Sequence, residues 1–136
     1  FSFLTTIEFK LQIFFKIRLK RFFGATLLVD RYIYDNVVTY AANLDLGEDY
    51  MRKTMDGKWK HAPRPDKIIY IKTPVEVCCS RKDDIPDSLY LEIREPRYEV
   101  IAKMYNAAVI AGDQEKQTML DEVMAVIDEV VPPLKK

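Results

Sequence analysis

Ala25-Thr26-Leu27-Leu28-Val29-Asp30-Arg31-Tyr32 is the stretch on which the fold class turns. Gly24 precedes it, five uncharged residues run without a break, and a carboxylate and a guanidinium follow at once. A short continuous apolar run of this kind suits a strand buried on both faces of a parallel sheet. In open parallel sheets, ligands sit beyond the carboxyl ends of the strands. Asp30 and Arg31 therefore stand where a metal or hydroxyl partner and a bidentate phosphate binder are useful. An ion pair that only closes the strand end is the structural alternative, and residue chemistry alone leaves both open.

Downstream, the period changes to that of a helix from Asp35, through Val37, Val38, Ala41 and Leu44, and a second short helix is expected over Glu48 to Met55. A polar loop, Asp56 to Pro65, leads to a second strand, Lys67 to Lys72. Thr73-Pro74-Val75-Glu76 carries a helix start signal, with proline where no amide hydrogen is needed, and the helix should reach about Arg81. Residues 82–95 are charged and weakly patterned, and are expected to form a mobile surface segment. Pro96 then opens a helix with Tyr98, Ile101, Ala102 and Tyr105 on its apolar face. A third strand, Ala107 to Ala111, ends at Gly112-Asp113-Gln114. A last helix, with Thr118 and Asp121 resembling a capping pair, carries Leu120, Val123, Met124, Ile127, Val130 and Val131, and stops at Pro132-Pro133.

Alternating strands and helices imply an α/β chain with a parallel sheet, and no linker divides it. The carboxyl-end rule selects three places: Asp30-Arg31-Tyr32, Thr73, and Gly112-Asp113-Gln114.

The amino-terminal segment, residues 1–23, is ambiguous. Phe1, Phe3, Ile7, Phe9, Leu11, Ile13, Phe15, Ile17 and Leu19 alternate with neighbours at the strand period, yet no turn residue interrupts about twenty residues, far beyond a usual strand, and Leu4, Ile7, Leu11, Phe14 and Phe22 also fit a helical stripe. A helix is the favoured expectation. Its Lys10, Lys16, Arg18, Lys20 and Arg21 suit a solvated face, with a membrane or partner surface as the alternative. The chain opens at Phe1 inside apolar sequence, so it is expected to be part of a longer protein.

With 21 basic and 21 acidic residues, the chain has no global field favouring nucleic acid or an anionic membrane, so anion binding must rest on local clusters. Cys78 and Cys79 are adjacent in an expected helix, where they do not pair easily. They read as reduced thiols in a cytosolic setting, and with His61 alone they do not make a zinc site.

Leu27-Leu28-Val29-Asp30-Arg31-Tyr32 resembles the Asp-Arg-Tyr motif of thymidylate kinases and their P-loop relatives. Pro65-Asp66-Lys67-Ile68-Ile69-Tyr70-Ile71 is similar to the strand that follows in that family. Pro74-Val75-Glu76-Val77 matches its next helix, which ends in an arginine at the lid edge, here Arg81. A helix holding Tyr105 and a strand ending at Gly112-Asp113 complete an order that spans about residues 20–131. Asp-Arg-Tyr is short, and order and spacing carry the resemblance.

The resemblance implies a three-layer P-loop-kinase-like parallel sheet flanked by helices. The implied activity is transfer of the ATP γ-phosphate to a nucleoside monophosphate, with magnesium. Arg31, beside Tyr32, would hold the acceptor phosphate, and Asp30 would lie near magnesium and acceptor. Arg81, with Arg94 or Arg97, would supply charge from a lid at 82–95, since positioning and electrostatics dominate such reactions. Gly112, Asp113 and Gln114 would border the donor base. A homodimer using Val37, Val38 and Tyr40 is also implied, core packing being the alternative for those residues. Tyr34-Asp35-Asn36 departs from the serine that often follows the motif. Nowhere does the chain contain Gly-x-x-x-x-Gly-Lys followed by Ser or Thr, the loop that cradles the donor phosphates. The family's fold places that loop after a central strand between those corresponding to 25–29 and 67–72, so the sheet is expected to be incomplete at its amino-terminal side and the segment alone inactive. A non-catalytic binding or assembly module, and a kinase of deoxynucleosides or other small hydroxyl compounds, are the alternatives.

Overall fold

The computed structural model describes residues 3–81 and 88–131. The expected stop at Pro132-Pro133 and residues 82–87 of the expected lid lie outside the described residues.

Within the described residues, the ambiguous amino-terminal segment is helical from Phe3 to Phe22. Helix α1 (Phe3–Ile13) runs into a π-helical turn (Phe14–Arg18) and then α2 (Leu19–Phe22). In the π turn the Leu19 amide donates to the Phe14 carbonyl, five residues back rather than four. The rod ends where Gly24, at φ 75°, lets the amides of Gly24 and Ala25 turn back to the carbonyls of Arg21 and Lys20.

The expected strand at 25–29 is not formed. These residues lie outside any helix or ladder, and Leu28 is 87% exposed. A strand depends on neighbours for its backbone hydrogen bonds as well as for burial, and none flanks this run in the described chain.

Helix α3 (Ile33–Asn43) begins three residues later and forms the centre of the core. Its Ile33, Tyr34, Val37, Val38 and Ala41 are buried with Met51 and Met55 of α4 (Glu48–Asp56), Trp59 of the following turn, Ile101, and Ile13 of the amino-terminal rod. Each such aliphatic side chain contributes about 1.5–3 kcal/mol by leaving water. Val37 and Val38 are thus core residues of the single chain.

The sheet is small. Strand β1 (Ile69–Lys72) pairs in parallel with β2 (Ala108–Ala111), Ile69 opposite Ala108 and Lys72 opposite Ala111. Between them run α5 (Val75–Arg81) and α6 (Ser88–Met104), and α7 (Lys116–Asp128) packs against β2. The described chain is a mixed helical structure with a two-stranded parallel sheet, compatible with an α/β class.

Two boundaries differ from expectation. Residues 88–95 are helical rather than a loose segment, and Pro96 lies inside α6 instead of opening it. A proline there withholds an amide from the Glu92 carbonyl. Arg94 and Arg97 donate to the carbonyls of Tyr90 and Ile93, which bracket Glu92, and also reach across to the end of α3. Helix α7 starts at Lys116, so Thr118 lies within it and is no cap. Gln117 is the residue that bonds Asp121, at 2.8 Å.

Candidate functional site

Arg31 has an unusual backbone. Four described residues have positive φ: Gly24, Arg31 (53°), Asp45 and Asn106. Asp45 and Asn106 end helices as Gly24 does: the amide of each and of the next residue return to carbonyls of the last turn. Arg31 has no such role. It precedes a helix, in a region that costs a side-chain-bearing residue of order 1–3 kcal/mol.

The Arg31 side chain is 71% exposed, and its nearest ionic partner, Asp35, lies at 4.0 Å. Asp35 lies in the first turn of α3, where a carboxylate is favoured by the helix dipole, and it also accepts a hydrogen bond from the Tyr98 hydroxyl. Burial first, and then the Asp35 contact, push the Tyr98 phenol above its usual range. Asp30 is exposed beside Arg31.

The Tyr32 hydroxyl donates to the Pro63 carbonyl at 3.1 Å. Burial pushes its phenol up to about 12, helped by Tyr34. Arg21 reinforces the same junction by binding the Arg64 carbonyl at 2.8 Å and Asp66 at 3.3 Å. Next to it opens a cleft of about 450 Å³ bordered by Tyr34, Arg64, Asp66, Lys67, Tyr105 and Asn106. The Arg64 guanidinium lies 4.8 Å from the Tyr105 ring centre, and the rings of Tyr34 and Tyr105 are 5.0 Å apart. The Lys67 ammonium is paired with Glu129 at 2.7 Å, so the aromatic faces and the Arg64 guanidinium are what the cleft offers a planar, anionic ligand.

A second group forms after β1. Arg81 donates to the Gly112 carbonyl at 2.8 Å, and the Gly112 amide bonds the Lys72 carbonyl at 2.7 Å. A Cβ on Gly112 would fall 1.9 Å from Thr73 Oγ1 and 3.0 Å from Ile71 Cγ2, so only glycine lets the two strand ends approach this closely. Asp113 is exposed, and Gln114 bonds Glu122 at 2.7 Å. Cys78 donates to the Thr73 carbonyl at 3.7 Å, and both cysteines are free thiols.

The structure therefore brings Thr73, Arg81 and Gly112 together at the carboxyl ends of both strands, and ties Tyr32 to the loop before β1. Among the described residues, no hydrogen bond or ion pair joins the two groups. Among the described residues, Arg94 and Arg97 form no hydrogen bond or ion pair with either group. Arg94 is buried and bonds Asn43 at 2.8 Å, while Arg97 bonds the Leu46 carbonyl and Asp45, each at 3.0 Å. Arg64 and Lys67 were not singled out from sequence; a Pro-flanked loop before a strand reads as solvated, and only the fold sets it against Tyr34 and Tyr105.

A magnesium ion usually takes one or two protein carboxylates and draws its other ligands from water and substrate phosphates. Asp30 fits that modest role, and among the described residues no group of three or more histidines, cysteines or carboxylates gathers to hold a metal by itself. The donor phosphates of ATP have no glycine-rich loop to receive them in this chain. No helix among the described residues is long and apolar enough to cross a membrane.

No family model matches the chain, and no solved structure does. The chain is similar to a probable thymidylate kinase 1 of Saccharolobus solfataricus, 25% identical over 109 residues. The match covers 76% of this chain and 54% of that protein, so the chain spans about half the length of the relative it resembles.

Proposed function

We propose that the chain forms the acceptor-nucleotide side of a thymidylate-kinase-like phosphotransferase, in a three-layer kinase fold that is incomplete without a donor-phosphate segment. The observation that carries this is Arg31: an exposed guanidinium on a strained backbone that no helix cap requires. The distant likeness to a probable thymidylate kinase supports the choice of substrate class. Arg31 receives the monophosphate, Tyr32 fixes the loop behind it, and Asp30 faces the magnesium that arrives with the donor. Arg81 and Gly112 to Gln114 belong to the donor side, at the end of the sheet where such ligands bind.

Titrating thymidine monophosphate and thymidine into the chain, by calorimetry, tests the acceptor role. Charge-assisted hydrogen bonds to phosphate make the monophosphate bind roughly tenfold or more tightly than the nucleoside, and Arg31→Ala removes that difference. Equal binding of the two ligands would sink the assignment. Incubation with ATP and magnesium should give no thymidine diphosphate from this chain alone, and turnover would show that a donor site exists elsewhere in it.

A non-catalytic binding module is the second reading. It is favoured by Arg94 and Arg97, whose guanidinium groups hold the end of α3 rather than facing the other candidate residues. Monophosphate binding that depends on Arg31, with no phosphoryl transfer even in a longer chain that carries an upstream donor segment, would favour this reading.

A further inference from the structure

We propose that the amino-terminal helical rod lies flat on an anionic phospholipid surface, its outward apolar stripe entering the headgroup boundary. The rod has two apolar sides. Ile13 is buried in the core. On the outer side Ile7, Leu11, Phe14, Phe15, Leu19 and Phe22 are all exposed, Phe22 by 83%, and Phe23 extends the stripe. Steps of four residues in an α-helix drift by about 40° each, since each residue turns about 100°. The wider π turn at Phe14–Arg18 absorbs that drift between Leu11 and Leu19, so the stripe stays on one side. Contiguous apolar surface of this kind on a folded chain marks an interaction site.

Charge decides what kind of partner fits. Lys10 and Arg18 immediately precede stripe residues, and Lys16 and Lys20 immediately follow them, so the cations lie about 100° to either side of the apolar line. All four are exposed. Their stems can lie along the stripe while the charged heads reach outward, as in helices that rest on anionic bilayers. The rod's only carboxylate, Glu8, accepts from Gln12 at 3.4 Å, so five cations face one anion in a chain that is neutral as a whole. A second copy of the chain fits poorly, because stripe-to-stripe pairing would oppose two rows of lysines with no carboxylates to meet them. Arg21 is held by Arg64 and Asp66, which fixes the rod to the body and makes it a built-in surface.

Co-sedimentation of the full 136-residue chain with vesicles tests the proposal. Vesicles of phosphatidylcholine and phosphatidylserine in equal parts should carry the chain down, and phosphatidylcholine alone should not; raised salt should release it. Lys16→Gln with Lys20→Gln should weaken partition roughly thirtyfold, about a factor of five per basic residue near such a surface. Phe15→Ser with Phe22→Ser should abolish it while leaving circular dichroism and the unfolding midpoint unchanged, as both rings are exposed. Failure to bind the anionic vesicles, equal binding to both kinds, or unchanged binding by the variants would each overturn the proposal. So would a dimer, seen by light scattering, that Phe22→Ser dissolves and that does not sediment with vesicles.

Discussion

Helix α3 and the run Ala25–Asp30 are neighbours in sequence with similar apolar content and opposite fates. Ile33 is fully buried, while Leu28, five residues earlier, is 87% exposed. The difference lies in what each element needs from the rest of the chain. A helix closes its own hydrogen bonds and needs cover on one stripe, which α4, α6 and Trp59 provide. A strand needs partners in the plane of the sheet and cover above and below. The same shortage shows at Ile71, Val109, Leu120 and Met124, all exposed on or beside the two-stranded sheet. Apart from the amino-terminal rod, uncovered apolar surface is found on and beside the sheet, for which the resemblance calls for one more strand.

The core around α3 is the most sensitive region. Ile33→Ala leaves a cavity amid Tyr34, Val37 and the α4 methionines and should cost about 2–5 kcal/mol, read as a lower urea midpoint. Tyr98→Phe comes next. It removes the hydroxyl that donates to Asp35 and should cost about 1.5–3 kcal/mol, as expected for a hydrogen bond to a charged group. Its pH signature is separate. Burial raises the phenols of Tyr32 and Tyr98, so the fold favours their neutral forms, and that stability is whole below the ordinary value of 10.0 and is lost as pH rises toward 12. Tyr98→Phe should therefore lose less stability than the parent chain over that alkaline range; an equal loss would show that Tyr98 does not titrate with folding.

Local signals were legible where elements are self-sufficient. Val37, Val38 and Ala41 announced α3 by spacing, and the Ile69–Lys72 and Ala108–Ala111 strands lie within the runs expected for them. The amino-terminal alternation looked strand-like because successive apolar residues serve two sides of one helix, Ile13 inward and Leu11 and Phe15 outward. Pro96 misled because the bonds that hold this part of α6 in place, from Arg94 to Asn43 and from Arg97 to Asp45 and the Leu46 carbonyl, join residues far apart in sequence. The site was half legible: Arg81 and Gly112 do meet, but the bond between Tyr32 and Pro63 depends on a loop whose path no periodicity records.

Arg31→Gly acts at the junction between the exposed run and α3. Glycine relieves the left-handed strain, at some cost in backbone entropy, so the chain should gain about 1 kcal/mol in urea unfolding. The same change should remove the preference for a monophosphate over its nucleoside. Gain and loss together identify strain held for binding; a loss of stability would mean that the Arg31 side chain supports the fold through Asp35.

The smallest effect is expected at Leu28, and it is the most informative about the uncovered side. In this chain Leu28→Ala should change stability by no more than about 0.5 kcal/mol, as for exposed positions without special contacts. In a longer chain carrying the upstream glycine-rich strand that the resemblance implies, the run would be covered, and the identical substitution should cost about 2–5 kcal/mol. A small effect in both chains would mean that residues 25–29 remain outside the sheet even when a partner strand is offered, and that the resemblance ends with the order of the motifs.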